Sequence, residues 1–367
     1  MKLICDGLAL SEAVLKVSKA MPIKKNNNIL EGIKLVAKDG YLTLTATDLE
    51  LSIVKRIAAD VQIEGEVLVL GKFFTDFVKS LDGEQIRLEC VGGKSLTIKY
   101  GENEGFIKCM EADEYPEVDS IDEQSSLVLA RDDLKALISK VVFAAATEDS
   151  RPILKGVLFE LKSGILTAVA LDGYRLALCK KPVQTEVDNV SYIIPARTLV
   201  EVLRLADEAD EDIRMVFSRE KMMVEINNTQ LISRLIMGDY INYRNIISTG
   251  FTSTATLSRD RVADSVNRAG IISRTDKNNT IRFELREDLV LIDAKSEFGN
   301  VHESVPAQIE GKDCTISFNC RYIQDVLNAV DDEFIKFNIK TSSSPCIFTK
   351  PDGDEYLFLV LPMRVSS

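Results

Sequence analysis

Residues 10–21 read Leu-Ser-Glu-Ala-Val-Leu-Lys-Val-Ser-Lys-Ala-Met. Leu10, Val14, Val17 and Met21 recur at spacings of three and four, which puts them on one face of a helix. The pattern returns at Leu134, Leu137, Ile138 and Val141, and again at Val262, Val266 and Ala269. Leu10, Leu134 and Val262 are separated by steps of 124 and 128 residues. A second amphipathic segment follows in each case: Phe73, Phe77 and Leu81; Leu199, Val202 and Leu203; Ile323, Val326, Leu327 and Val330. Phe77, Val202 and Val326 are 125 and 124 residues apart, so two independent markers agree on the period.

Between the helices, apolar residues alternate with polar ones, as in half-buried strands. Leu42, Leu44 and Ala46 do so in the first unit, Leu166, Ala168 and Ala170 in the second, and Ile281, Phe283, Leu285, Leu289 and Leu291 in the third. Further strand patterns close the units at Ile86–Ile98, Met222–Ile226 and Ile335–Ile339. The fold class is therefore α+β, built from three similar domains ordered helix, strands, helix, strands. We expect domains at 1–121, 126–247 and 253–367, joined near the acidic stretch 117–123 and the Ser/Thr/Gly stretch 248–254. Units of about 120 residues can each bury a core, and three of them suit an arc or ring.

The 367 residues are 46% apolar and 28% charged, with a net charge of −12. No stretch approaches the ~20 apolar residues of a membrane span, and residues 1–6 lack a leader's apolar run, so we expect a cytoplasmic protein. The seven cysteines are scattered without CxxC spacing, so no metal or redox motif is written in them and reduced thiols are expected. His302 is the single histidine, among Val301, Glu303 and Val305 in a strand pattern, and one histidine cannot furnish a multi-His metal site. Gly92-Gly93-Lys94-Ser95 lacks the upstream glycine of a phosphate loop and leads into an alternating strand, so it reads as a hairpin turn. Asp48 and Asp172 end equivalent strands, and Asp172-Gly173 is a turn signature rather than half of an acid–base pair. No catalytic constellation and no cofactor motif emerges, and we expect no enzyme activity.

The sign of the charge depends on the element. The six expected helices, 8–20, 71–81, 131–142, 196–205, 258–269 and 320–330, hold thirteen basic and eight acidic residues, a net +5 that leaves −17 elsewhere. If the helices share a surface, that surface is basic.

Four passages carry a family resemblance: Ala46-Thr47-Asp48-Leu49-Glu50; Arg151-Pro152-Ile153-Leu154-Lys155-Gly156 with Asp172-Gly173-Tyr174-Arg175-Leu176; Phe318-Asn319-Cys320-Arg321-Tyr322 with Asp325-Val326-Leu327; and Leu361-Pro362-Met363-Arg364. In these residues and their order the chain resembles the bacterial sliding clamp, the β subunit of DNA polymerase III. The resemblance implies a head-to-tail homodimeric ring of six domains, helices inside and sheets outside. It implies a processivity factor for DNA replication that encircles duplex DNA without reading its sequence. It further implies DNA contacts at Lys24, Lys25, Lys79, Arg197 and Arg204. A partner-peptide pocket is implied at Arg151, Leu154, Leu171, Gly173, Tyr174, Arg175, Leu176, Ile241, Tyr243, Ile246, Pro345, Val360, Leu361, Pro362, Met363 and Arg364. For Leu154, Leu176 and Val360, plain core packing is the competing reading. The implied partners are the replicative polymerase, an ATP-dependent clamp loader, and other polymerases and repair proteins that carry short apolar motifs. Phe106 and Ile107 against Ile271 and Ile272 would form the dimer seam as exposed apolar pairs. The chain departs from the family at Asp239–Arg244, which lacks a Phe-Pro-Asp-Tyr form, at Asn245, where a basic residue is common, and at Glu148, where a carboxylate would weaken DNA contact. Two rivals are a protein-only ring scaffold and a repeat enzyme with an unrecognised carboxylate site.

Overall fold

Each unit does alternate helices with strands, in the same order three times. The structure is a computed structural model that describes residues 1–22, 29–81, 85–148, 151–183, 185 and 187–363. The first repeat runs β1 (Lys2–Asp6), α1 (Gly7–Val17), β2 (Gly32–Lys38), β3 (Tyr41–Thr47), β4 (Leu51–Ile63), β5 (Gly65–Leu70), α2 (Gly71–Val78), β6 (Gln85–Cys90), β7 (Ser95–Tyr100) and β8 (Asn103–Met110). The second runs β9 (Ser125–Leu129), α3 (Arg131–Ser139), β10 (Gly156–Lys162), β11 (Ile165–Leu171), β12 (Arg175–Pro182), β13 (Val190–Pro195), α4 (Ala196–Ala206), β14 (Ile213–Phe217), β15 (Lys221–Ile226) and β16 (Thr229–Arg234). The third runs β17 (Ser253–Ser258), α5 (Arg259–Ser273), β18 (Thr280–Arg286), β19 (Leu289–Ser296), β20 (Gly299–Gly311), β21 (Cys314–Asn319), α6 (Cys320–Ala329), β22 (Phe334–Ile339), β23 (Cys346–Thr349) and β24 (Tyr356–Val360).

The helices sit where the apolar spacing predicts, with shifted ends, but the buried face of α2 is corrected: Phe74 and Val78 point inward, while Phe73, expected on the apolar face, is exposed. Regular α1 stops at Val17 and continues as a 3₁₀ turn, Ser18–Ala20. α2 ends at Val78 rather than residue 81, because the amides of Ser80 and Leu81 bond three residues back to Phe77 and Val78. α3 closes at Ser139 rather than 142, with Val141 bonding back to Ile138. α5 runs four residues past 269, since Gly270 and Ser273 continue its buried stripe without a large apolar side chain to announce it. Ile271 and Ile272 therefore lie on the last turn of this helix. Asp6 caps α1 by accepting from the amide of Ala9 at 2.8 Å, and Asn319 caps α6 by accepting from Arg321 at 3.0 Å. Gly92 and Gly93, both at positive φ, form the β6–β7 turn, as the strand pattern after them requires. His302 is on β20, with Nδ1 2.5 Å from the Asp293 carboxylate on neighbouring β19.

The chain packs into two compact units. The first comprises residues 1–131 and 204–235 and holds one twelve-stranded sheet, ordered β1-β6-β7-β8-β5-β2-β3-β4-β16-β15-β14-β9, with β1 also paired to β4. α1 and α2 pack on each other against it, burying Leu10, Val14, Val17, Phe74 and Val78. The second comprises residues 132–203 and 236–367, with a sheet ordered β13-β10-β11-β12-β24-β23-β22-β17-β20-β19-β18-β21. α5 and α6 pack there on each other, and α5 lies on β19 and β20. Each sheet thus joins strands of two repeats: β16 pairs with β4 in the first unit and β24 with β12 in the second.

The core of the third repeat is aromatic. Phe283, Phe318, Phe337 and Phe348 are wholly buried, and the Phe337 and Phe348 rings meet edge to face with centroids 4.6 Å apart. Truncating such a side chain removes its transfer free energy and leaves a cavity. Phe337→Ala should therefore lower unfolding free energy by about 3–5 kcal/mol in chemical denaturation, whereas Val91→Ala, at an exposed position in the β6–β7 turn, should change it by less than about 0.5 kcal/mol.

Candidate functional site

In the second unit the β11–β12 hairpin turns through Asp172-Gly173-Tyr174. Gly173 adopts φ +96°, and Asp172 Oδ1 accepts from the amides of Tyr174 (2.9 Å) and Arg175 (3.0 Å). Asp48 closes the equivalent β3–β4 turn in the same way, accepting from Glu50 and Leu51. Both aspartates are turn formers, as the sequence indicates.

Arg175 is the hub of this site. Its guanidinium pairs with Asp172 Oδ2 at 3.0 Å and with Asp325 on α6, and it donates to the carbonyl of Phe143 at 2.7 Å. It also lies over the Tyr322 ring, 4.6 Å from the centroid. Tyr174 in turn stacks on Tyr322, with centroids 6.2 Å apart and planes 25° from parallel. The C-terminal segment joins by its backbone: the Leu361 amide bonds the Tyr174 carbonyl at 2.9 Å, and the Met363 amide bonds Ser317 at 2.7 Å.

Around this hub is an open cavity of about 700 Å³. It brings together Arg151, Leu154, Gly173, Tyr174 and Arg175 from the expected pocket. Asn279, Asn319, Arg321 and Tyr322 complete the wall from the third repeat. Those four are absent from the sequence-derived set, although Asn319-Cys320-Arg321-Tyr322 belongs to a passage that carries the resemblance. The Arg175 guanidinium is nearly buried and already occupied by two carboxylates and a carbonyl, so it is not free to bind a ligand directly.

Leu154, Leu171, Leu176 and Tyr243 belong to a buried apolar cluster beneath the cavity, with Ile241 packed against it. Val360 is fully buried on β24, where it pairs with Arg175. Core packing thus describes Leu154, Leu176 and Val360, although Leu154 also reaches the cavity wall. Ile246 and Leu361 are exposed, while Pro345, Pro362 and Met363 are half-buried. Arg364 lies outside the described residues. Glu148 is exposed at the cavity edge.

The segment Asp239–Arg244 is pinned by its tyrosines. Tyr240 donates to the Gly156 carbonyl at 3.3 Å, and Tyr243 donates to Glu160 Oε2 at 3.0 Å, where Arg244 also pairs. Burial, reinforced by Glu160, pushes the Tyr243 phenol up to about 12.

The expected DNA-contact residues fall on separate elements. Lys24 and Lys25 lie outside the described residues. Lys79 caps the C-terminus of α2, exposed, with Asp76 at 3.5 Å. Arg197 and Arg204 are two turns apart on one face of α4. Lys72, Arg197 and Arg321 each occupy the second position of the second helix of a repeat.

The structure tempers the expected charge separation. Lys16 pairs with Glu208 at 2.5 Å, Lys140 with Asp331 at 2.7 Å and Arg268 with Glu303 at 2.6 Å. These three carboxylates lie outside the helices, so part of the −17 sits directly against part of the helical charge.

Among the seam residues, Phe106 and Ile271 are each 66% exposed. Ile107 and Ile272 are only half-exposed, which corrects the expectation of two fully exposed pairs. Strand alternation turns Ile107 away from the face that presents Phe106. All seven cysteines are free thiols. Among the described residues no cluster of His, Cys, Asp and Glu could hold a metal ion, and no helix is long and apolar enough to cross a membrane.

The raised phenol sets an alkaline limit. The native state holds the Tyr243 proton more tightly than the unfolded chain does, so its contribution is complete below pH 10 and is lost as pH rises toward about 12. Cys5 and Cys179, pushed up by burial to about 12 and about 11, act in the same direction from pH 9 upward. Thermal melts from pH 8 to 12 should show a falling midpoint above pH 9, with a shallower fall in Tyr243→Phe.

Comparison with known proteins supplies the identity. Family profiles match the chain three times in order: the DNA polymerase III beta subunit N-terminal domain over residues 1–119, its central domain over 128–242 and its C-terminal domain over 244–364. A beta sliding clamp from Halalkalibacterium halodurans is 31% identical, covering 99% of this chain and 100% of its own. One from Staphylococcus epidermidis is 30% identical with 94% of each covered. Among solved structures, the DNA polymerase III beta subunit of Thermotoga maritima superposes with a TM-score of 0.92 at 29% identity, and the DNA polymerase sliding clamp of Bacillus subtilis with 0.93 at 27%, each over 100% of both chains. A threefold helix–strand repeat matched over its whole length therefore makes this chain a member of the bacterial sliding-clamp family, the β subunits of DNA polymerase III.

Proposed function

We propose that the protein acts as a DNA sliding clamp, a non-catalytic processivity factor that encircles duplex DNA in the cytoplasm and tethers the replicative polymerase. The observation that carries this reading is the pair of unfinished sheet edges. β8 is paired on one side only along residues 103–108, and β20 on one side only along 299–306. Inside the chain, the corresponding strands are joined: β16 to β4 and β24 to β12. An unpaired edge is a template for another chain. A head-to-tail pair of copies, joining β8 to β20 twice, fills both of these stretches and closes a ring of six domains, here taken as 1–121, 126–247 and 253–367 in each copy. Phe106 and Ile107 then lie beside Ile271 and Ile272.

In this reading Lys24, Lys25, Lys79, Arg197 and Arg204 face phosphate. Contacts of this kind are independent of sequence and salt-sensitive, which permits sliding. The cavity at Tyr174 and Arg151 receives short apolar peptides from polymerases, an ATP-dependent clamp loader and repair proteins. Leu154, Tyr174 and Tyr322 offer apolar surface to such a ligand, and Arg151, Asn279, Asn319 and Arg321 supply the polar groups that would orient it.

After loading, the protein should stay on closed circular DNA and be lost within minutes from the same DNA made linear; equal loss from both would overturn topological holding. Tyr174→Ala removes an exposed wall side chain without touching the buried cluster. It should weaken a fluorescein-labelled polymerase peptide about tenfold in anisotropy, the equivalent of ~1.4 kcal/mol, and an unchanged affinity would count against the pocket.

A further inference from the structure

Two large aromatic side chains stand almost fully in solvent: Phe73 on α2, 64% exposed, and Phe298 in the β19–β20 turn, 73% exposed. The repeat supplies their counterparts. α2 starts at Gly71 directly after β5, and α6 starts at Cys320 directly after β21, so Phe73 corresponds to Tyr322. The next residues, Phe74 and Ile323, are both fully buried, which fixes the same helical phase. The β11–β12 hairpin pairs Leu171 with Leu176, and the β19–β20 hairpin pairs Lys295 with Asn300, each 124 residues further on. Phe298 therefore corresponds to Tyr174.

Tyr174 and Tyr322 already form a stack, at the junction where β24 joins β12. The remaining copies of those positions, Phe298 and Phe73, belong to the repeats that carry the half-paired stretches of β20 and β8. We propose that Phe73 of one copy stacks on Phe298 of a second copy, repeating at the seam between copies the aromatic contact seen inside the chain. This rests on the ring reading given above and specifies how its seam is built.

The register follows from the same logic. β16 places Thr229 opposite Lys55, and β24 places Tyr356 opposite Cys179. Cys179 lies 124 residues after Lys55, and Glu303 lies 124 after Cys179. Asn103, Thr229 and Tyr356 each open the last strand of a repeat. Asn103 of one copy therefore pairs with Glu303 of the other, and Phe106 with Asn300. Gly299, adjacent to Phe298, then meets Ile107, beside the Ile272 side chain that already reaches within 3.9 Å of the Gly299 Cβ direction. Two exposed rings at the mouth of this pairing bury their faces only if the copies join, so they act as an apolar latch.

The test is the dimer dissociation constant, measured by sedimentation velocity on the full chain across a dilution series. Phe73→Ala and Phe298→Ala should each weaken the dimer about tenfold, and the double variant should fall well short of the product of the two, because each removes the same contact. The pair Phe73→Tyr with Phe298→Tyr, copying Tyr174 and Tyr322, should stay within about threefold of the wild type. A monomeric wild type at all concentrations would sink the ring reading itself. A dimeric wild type with both alanine variants unchanged, while Phe106→Asp abolishes the dimer, would leave the ring standing and overturn the aromatic latch. Unchanged circular dichroism and melting temperature identify variants that fold normally.

Discussion

Antiparallel pairing between strands of successive repeats is the constraint on which the rest of this structure depends. A strand edge carries amide and carbonyl groups that must find partners. Here the last strand of one repeat satisfies the open flank of the fourth strand of the repeat before it, β16 on β4 and β24 on β12. This gives two sheets of twelve strands from three repeats of eight. β8 and β20 each keep a stretch paired on one side only, residues 103–108 and 299–306.

The second junction is also where the cavity lies. The hairpin that ends β11 and starts β12 presents Asp172, Tyr174 and Arg175, and α6 answers with Tyr322 and Asp325. The arginine is spent on structure: paired with two carboxylates, it holds hairpin to helix and leaves the tyrosines and Arg151 to face the opening. Such a network is rigid because each polar group is answered, and removing one partner would strand a charge in a nearly buried place. A surface supported by charges that are already satisfied holds its shape.

Electrostatics act more modestly than the separation of charge by element indicates. Lys16, Lys140 and Arg268 meet Glu208, Asp331 and Glu303, so basic helices are trimmed by neighbouring acids. Exposed pairs of this sort are worth little in stability. Their effect is to soften the positive field of the helices.

The period of about 124 residues, the helix–strand order and the buried faces of the helices other than α2, which buries Phe74 and Val78 instead of Phe73, were legible in the sequence alone, because spacing of three and four or of two reflects local geometry that needs no distant partner. The turn roles of Asp48, Asp172 and Gly92-Gly93 were legible for the same reason. The helix ends were less so: α5 continues through Gly270 and Ser273, residues too small or polar to mark a buried stripe. What tertiary structure alone decided is which strands pair between repeats, and hence that Tyr174 stacks on Tyr322, that Asp325 takes up Arg175, and that Asn279, Asn319 and Arg321 wall the cavity. These contacts link residues about 100 to 150 positions apart. No local pattern encodes such a meeting, because it arises only when two sheet edges find each other and bring their turns and helices together.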